Sequence, residues 1–295
     1  MEKNILAKII DGLNSQGYLF QQRCLHEVKN IDSFLEWKVN VEEYPVAIYE
    51  KETEIDFVLH NQSYRTYVIV ECKRAHPDYL MWVFQDVKKN STRFQATRLV
   101  IREIREGRLV YKNNQPSRVK PQSEAINISL ENDSIRIASY GLEIFNKETR
   151  GKKRARPDTI NDACYQVFKG LGGFVFEQCK QLKKLPDLVD CVYIPLIITT
   201  ADLYTVEYNI SNVDLNTGSI SVDDINKNDG IKKVPWVILN YGVKESIQIT
   251  TIGETYHGRD ASHIKEKYKS KDIFIVNSLN IQSFLSKLYI GAGPK

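Results

Sequence analysis

Glu54-Ile55-Asp56-Phe57-Val58-Leu59-His60 and, after a short polar break, Arg65-Thr66-Tyr67-Val68-Ile69-Val70-Glu71-Cys72-Lys73 decide the fold. In the first segment Ile55, Phe57 and Leu59 recur at every second position, the period of a strand with one buried face. The second segment is a run of β-branched and aromatic residues. Asn61-Gln62-Ser63 between them is a turn signal, so the pair reads as a β-hairpin. On the return strand Glu71 and Lys73 stand two apart and share a face. Cys72 points the other way, with Val68 and Val70. Asp56, on the outgoing strand, lies across from the Glu71 region. The hairpin therefore brings two carboxylates and an ammonium to one patch of sheet.

The triplet Glu-x-Lys occurs three times, as Glu27-Val28-Lys29, Glu36-Trp37-Lys38 and Glu71-Cys72-Lys73. Alone it decides nothing. Only the third triplet ends an apolar strand, and only the third follows a strand carrying an aspartate at hairpin distance. The bland alternative is an ion pair at a strand end, which contributes little to stability. The chemical reading is sharper. One or two carboxylates, with waters and a substrate phosphate, suffice to hold Mg²⁺. A lysine beside them can orient water and offset developing phosphoryl charge.

Outward from the hairpin, Ile5, Leu6, Ile9, Ile10 and Leu13 recur at helical spacing until Gly17. Tyr18 to Leu35 shows no clear period. From Trp37 the chain turns extended, with Val39, Val41 and Glu43 expected on one face and Pro45 marking an edge or a bend. Met81 to Arg108 reads as a basic, mainly helical stretch that Gly107 could end; Val119 to Ser134 is ambiguous. Asp158 to Lys183 is the longest helical candidate, with apolar positions from Ile160 to Cys179 and a Gly172-Gly173 pair that predicts a kink or a close approach. Val189 to Thr200 is an apolar run, the mark of a central strand, with Leu203 to Tyr208 as its expected neighbour. Asn209 to Lys233 reads as an exposed insertion. Trp236–Leu239 and Ile273–Val276 read as short strands. Ile281, Phe284, Leu285 and Leu288 close the chain on an amphipathic helix. This order predicts an α/β fold in which a mixed sheet carries helices on both faces.

The chain has 295 residues, enough for one large core, and a net charge of +4. That charge alone implies no partner; its distribution is more informative. Basic residues crowd between Lys88 and Lys120 and again in Arg150-Gly-Lys-Lys-Arg-Ala-Arg156, where Lys152, Lys153, Arg154 and Arg156 could follow a phosphate backbone. Solvated surfaces explain such runs equally well. Five cysteines without a CxxC pair argue against a zinc ribbon or a disulfide framework and for reduced thiols. No GxxxxGK[ST], HExxH or GxSxG motif is present. The first residues open an amphipathic pattern rather than a signal peptide, and no apolar run approaches the ~18 residues of a membrane span. A cytoplasmic protein without membrane association is expected.

Glu43-Tyr44-Pro45-Val46, then Glu54-Ile55-Asp56-Phe57-Val58-Leu59, then Val68-Ile69-Val70-Glu71-Cys72-Lys73-Arg74 resembles the core of the PD-(D/E)XK nuclease superfamily. That superfamily includes restriction endonucleases, archaeal Holliday-junction resolvases and bacterial defence nucleases. The resemblance covers residues 1–75 best. It implies a restriction-endonuclease-like αβββαβ core with insertions, in a single domain over 1–295: core at 1–75 and 158–208, a basic helical insertion at 81–157, and a C-terminal extension at 209–295. It implies a metal-dependent endonuclease using Mg²⁺, which Mn²⁺ can replace, on DNA ahead of RNA, with a role in restriction or antiviral defence. A homodimer would let two sites cut both strands. The alternative is a catalytically inactive nucleic-acid-binding module of the same fold. By this resemblance Asp56 and Glu71 ligate the metal, the Cys72 carbonyl is a further ligand, and Lys73 positions the attacking water. The upstream acid is Glu43 or Glu27, and Gln166 approaches the centre from the long helix. His76 and Asp78 either line the cleft or belong to a turn with Pro77.

Overall fold

Every residue of Val192–Thr199 is buried, and alternate side chains enter two different apolar layers. Tyr193 and Ile197 join one layer; Val192, Ile194, Leu196 and Ile198 join the other. A strand buried on both faces needs cover on both sides, and the rest of the chain supplies it. The structure is a computed structural model. It describes residues 3–15, 17–31, 36–48, 51–75, 81–85, 88–89, 93–101, 104–105, 108–109, 111–112, 115–116, 119–130, 135–144, 159–181, 191–225, 230–242 and 270–291.

Two helices, α1 (Lys3–Ser15) and α2 (Tyr18–Lys29), precede an antiparallel meander of β1 (Trp37–Ile48), β2 (Lys51–Asn61) and β3 (Thr66–Lys73). An excursion follows, with β4 (Met81–Gln85), β5 (Lys88–Lys89), β6 (Arg93–Ile101), β7 (Ile104–Arg105), β8 (Arg108–Leu109), β9 (Tyr111–Lys112), β10 (Gln115–Pro116), β11 (Val119–Leu130), β12 (Arg136–Ala138) and β13 (Tyr140–Ile144). The chain returns through α3 (Thr159–Gln181) to β14 (Val192–Thr199). Then come β15 (Asp202–Val206), β16 (Ile231–Val234), β17 (Trp236–Gly242), β18 (Ser270–Asn277), α4 (Ile281–Lys287) and β19 (Leu288–Ile290).

Among the described residues the main sheet is mixed and has eleven strands. Its principal order is β1-β2-β3-β14-β18-β17-β12-β5, with β6, β11 and β19 joined beside it. β14 pairs in parallel with β3 along its whole length and with β18 from Leu196 onward, while β6 takes Val192 and Tyr193. Buried Asp272 holds that junction. Its carboxylate accepts the Gln95 N–H at 2.7 Å and the Asn240 amide at 2.6 Å. A second sheet of four strands runs β13-β4-β15-β16. Helix α3 covers one face of the main sheet; α2 and α4 cover the other. The apolar stripe of α1 stays about half exposed. No helix among the described residues is long and apolar enough to cross a membrane.

Several expectations need correction. Residues 81–108 are not helical where described. In β4, Trp82 and Phe84 are buried two apart, and in β6 so are Phe94 and Ala96. That is the period of a strand, with Val83 and Gln95 as the alternate residues. The described parts of the insertion are therefore built of strands. The segment after β14 does not neighbour it, because β15 leaves for the second sheet and pairs with β4 and β16. Tyr18 to Lys29 is helical, burying Cys24, Leu25 and Val28.

Two corrections concern the meander itself. A register shift lies between Val39 and Val41, so these residues enter opposite layers. Ile55 and Phe57, expected on one face, also enter opposite layers, whereas Ile55 and Val58 share one. An unbroken pleat puts residues three apart on opposite faces. The alternation therefore breaks at Asp56. Across the ladder from it, between the Glu42–Phe57 and Tyr44–Ile55 pairs, Glu43 has φ 47, a left-handed backbone rare for a residue with a Cβ.

Helix α3 runs without interruption and lies close on this meander. A Cβ on Gly173 would stand 2.5 Å from the Val46 Cβ, and one on Gly170 would stand 2.9 Å from Ile55. The expected alternative of a kink or a close approach thus resolves as a close approach. Gly173→Ala gains helix propensity of about 1 kcal/mol yet must push the helix off β1. A net loss of roughly 1–3 kcal/mol is expected. Urea unfolding checks it, and a stabilised variant would refute the tight contact.

Candidate active site

The β2–β3 ladder runs from Asn61–Thr66 to Phe57–Val70. At the next position the backbone pairing gives way to a side chain: the Cys72 N–H donates to Asp56 Oδ2 at 2.5 Å. The N–H and carbonyl of one strand residue leave by the same edge, so the Cys72 carbonyl also faces the Asp56 side. The Cys72 thiol enters the opposite layer beside Cys24, with burial pushing its pKa up. Glu71 and Lys73 share the α3 face with Tyr67 and Ile69. From α3, Gln166 accepts a hydrogen bond from the Lys73 ammonium at 2.9 Å. Asp56, Glu71, Lys73 and Gln166 are thus brought together.

Both acids are perturbed. Glu71 is only 8% exposed. Burial first, then the Asp56 charge, pushes its carboxyl up to about 8, against a lowering by Lys73. Asp56 is pushed up to about 6, mainly by burial and secondarily by Glu54, against lowering by its bond from Cys72 N–H and by Lys73. Two such carboxyls with one ammonium favour a cation between them once both are ionised. Among the described residues no group of three or more His, Cys, Asp and Glu gathers as a metal cage. The donors here are two carboxylates and a carbonyl. Hard oxygen donors of this number suit Mg²⁺ or Mn²⁺, which complete their shells with water and phosphate.

The other candidates are placed differently. Glu43 stands across from Asp56 in register, but its carboxylate accepts a 3.4 Å bond from Gln22 of α2. Glu27 is occupied by Arg23 and by a 2.9 Å bond from Gln282 of α4. The further acid whose charge bears on Asp56 is Glu54. In the sequence it stands two residues before Asp56. Gln21, also unforeseen, donates to the Asp56 carbonyl at 3.3 Å, so α2 braces the point where the pleat breaks. Lys152, Lys153, Arg154 and Arg156, together with His76 and Asp78, lie outside the described residues. Around the site, Thr200 Oγ1 accepts the Ala75 N–H at 2.9 Å, and the Asn277 amide donates to the Ala201 carbonyl at 2.8 Å. These bonds tie together the carboxyl ends of β3, β14 and β18.

No family model, curated protein or solved structure matches the chain.

The raised carboxyls set a pH dependence. Their folded-state values exceed the unfolded ones, so between about pH 4 and pH 8 the folded state holds more protons. Stability of the metal-free protein is therefore greatest at the acidic end of that window and falls as pH rises through it. Melting in EDTA at half-unit pH steps measures this. Glu71→Gln flattens the slope, and Mg²⁺ raises the melting temperature at pH 8 more than at pH 5.5. A slope that is the same in Glu71→Gln would show that other groups set it.

Proposed function

We propose that this chain is a metal-dependent nuclease of the PD-(D/E)XK type, hydrolysing phosphodiester bonds in DNA ahead of RNA. The observation that carries the reading is the convergence of Asp56, Glu71 and Lys73, with Gln166 of the covering helix on the lysine. The element order supports it as well. Helices, an antiparallel meander, a covering helix and a strand parallel to β3 give an αβββαβ pattern in which β4–β13 form the insertion.

Asp56 and Glu71 would hold Mg²⁺, with the Cys72 carbonyl on the same edge. When bound, the ion supplies Lewis acidity and an acidified water. The chain's own groups do the rest. The Cys72 N–H fixes one Asp56 oxygen and so aims the other. Gln166 restrains the Lys73 ammonium, which is placed to orient a water and to stabilise charge growing on the phosphoryl oxygens. Burial makes Glu71 release its proton reluctantly, so its carboxylate would hold the ion more tightly as pH rises toward 8.

The test uses plasmid, linear duplex, single-stranded DNA and RNA, each with Mg²⁺, Mn²⁺ or EDTA. Metal-dependent cleavage is expected on DNA. Lys73→Ala and Glu71→Gln each lower the rate by about 10²-fold or more. Gln166→Ala, acting through Lys73, costs less. Cleavage that persists in EDTA or in Lys73→Ala defeats the mechanism. Salt-dependent binding without cleavage under every condition would instead identify a binding module.

A further inference from the structure

The triplet Glu36-Trp37-Lys38 takes no part in the candidate active site. It opens β1 at the other end of the meander, beside the turn that joins β2 to β3. A cavity of about 260 Å³ lies there, lined by Glu36, Trp37, Asn61, Ser63, Tyr64 and Ser286 above leucines of α4 and β19.

Size, charge and walls select its occupant. The volume falls below the ~300–1,000 Å³ of drug-sized ligand sites, so a side-chain-sized group fits and a nucleotide does not. Glu36 brings a carboxylate, and among the described residues the lining contains no Lys, Arg or His. An anion would meet no opposite charge from those residues. The Ser63 hydroxyl donates to Glu36 Oε2 and fixes that carboxylate. Its charge reaches the neighbouring ring. The Tyr64 phenol is pushed up by burial, then by Tyr289 and Glu36. Trp37 and Tyr64 provide aromatic walls, whose faces attract cations.

The backbone at this place is also unusual. Glu36 has φ 55, a conformation that a residue with a Cβ keeps only where its surroundings impose it. Arg65, with φ 48, has an ordinary explanation as the closing residue of the β2–β3 turn. The backbone of Glu36 delivers a carboxylate to the cavity.

We propose that this cavity binds an organic cation, a guanidinium or primary ammonium on a short alkyl stem, with Glu36 as counter-ion and Trp37 and Tyr64 as walls. The site is separate from the nuclease centre and does not depend on it.

Titration of the 295-residue chain with n-butylguanidinium and n-butylammonium tests the site, followed by tryptophan fluorescence and calorimetry. The neutral n-butylurea serves as a control of matched shape. Saturable binding of at least one cation is expected, about tenfold or more tighter than the urea and weakened about tenfold or more by Glu36→Gln. Ser286→Leu fills the cavity without touching the Glu36–Ser63 bond, and it abolishes binding. Far-UV circular dichroism checks both variants, so that if one misfolds the other carries the comparison. No saturable binding, equal binding of the urea, or unchanged affinity in a folded variant overturns the proposal. Nucleic-acid cleavage by Glu36→Gln, read separately, stays at the wild-type rate, so the two readings can fail independently.

Discussion

At Cys72 a carboxylate replaces the next rung of a β-ladder. The β2 backbone pairs with β3 as far as Phe57, and the Cys72 N–H then donates to the Asp56 side chain. A buried N–H left without a partner is costly, so this substitution allows β2 to diverge from β3 while β3 continues along β14. The divergence gives Asp56 a place beside Glu71, and it leaves the Cys72 carbonyl on the same edge. It coincides with the break in pleat that sends Ile55 and Phe57 into different layers. The left-handed Glu43 lies opposite and α2 braces the point through Gln21 and Gln22.

Other parts of the fold follow from holding that edge in place. Helix α3 must lie close enough for Gln166 to meet Lys73, and glycines at 170 and 173 permit it. The close approach excludes water from Glu71, and burial is the first cause of its raised carboxyl. Packing and electrostatics are therefore one feature here. The helix that seals the apolar layer also helps to make the acid reluctant to ionise.

Long, strongly patterned segments were legible from the residues. The turn at Asn61–Ser63, the apolar run of β14, the 23-residue α3 and the Ile281, Phe284 and Leu285 face of α4 carry signals strong enough to survive folding. In Met81–Arg108 the many basic residues suggest a helix, whereas in its described parts Trp82 and Phe84, Phe94 and Ala96 mark a period of two once their burial is known. The neighbour of β14 was misplaced for another reason. Which sheet a strand joins depends on distant partners, and β15 found β4 across more than a hundred residues.

By itself the sequence determined that Glu71 and Lys73 share a face, that Cys72 opposes them and that Asp56 stands on the adjacent strand. Those relations follow from the two-residue period of a strand and the reach of a short turn. The tertiary structure decided what local spacing cannot encode. It turned Glu43 toward α2 and occupied Glu27 with Arg23 and Gln282. It buried Glu71 beside Asp56, and it brought Gln166 to a lysine 93 positions away. The direction of a side chain at a broken pleat, and the depth of its burial, depend on what packs over it. Here that cover comes from α2, α3 and α4, elements far apart in the chain.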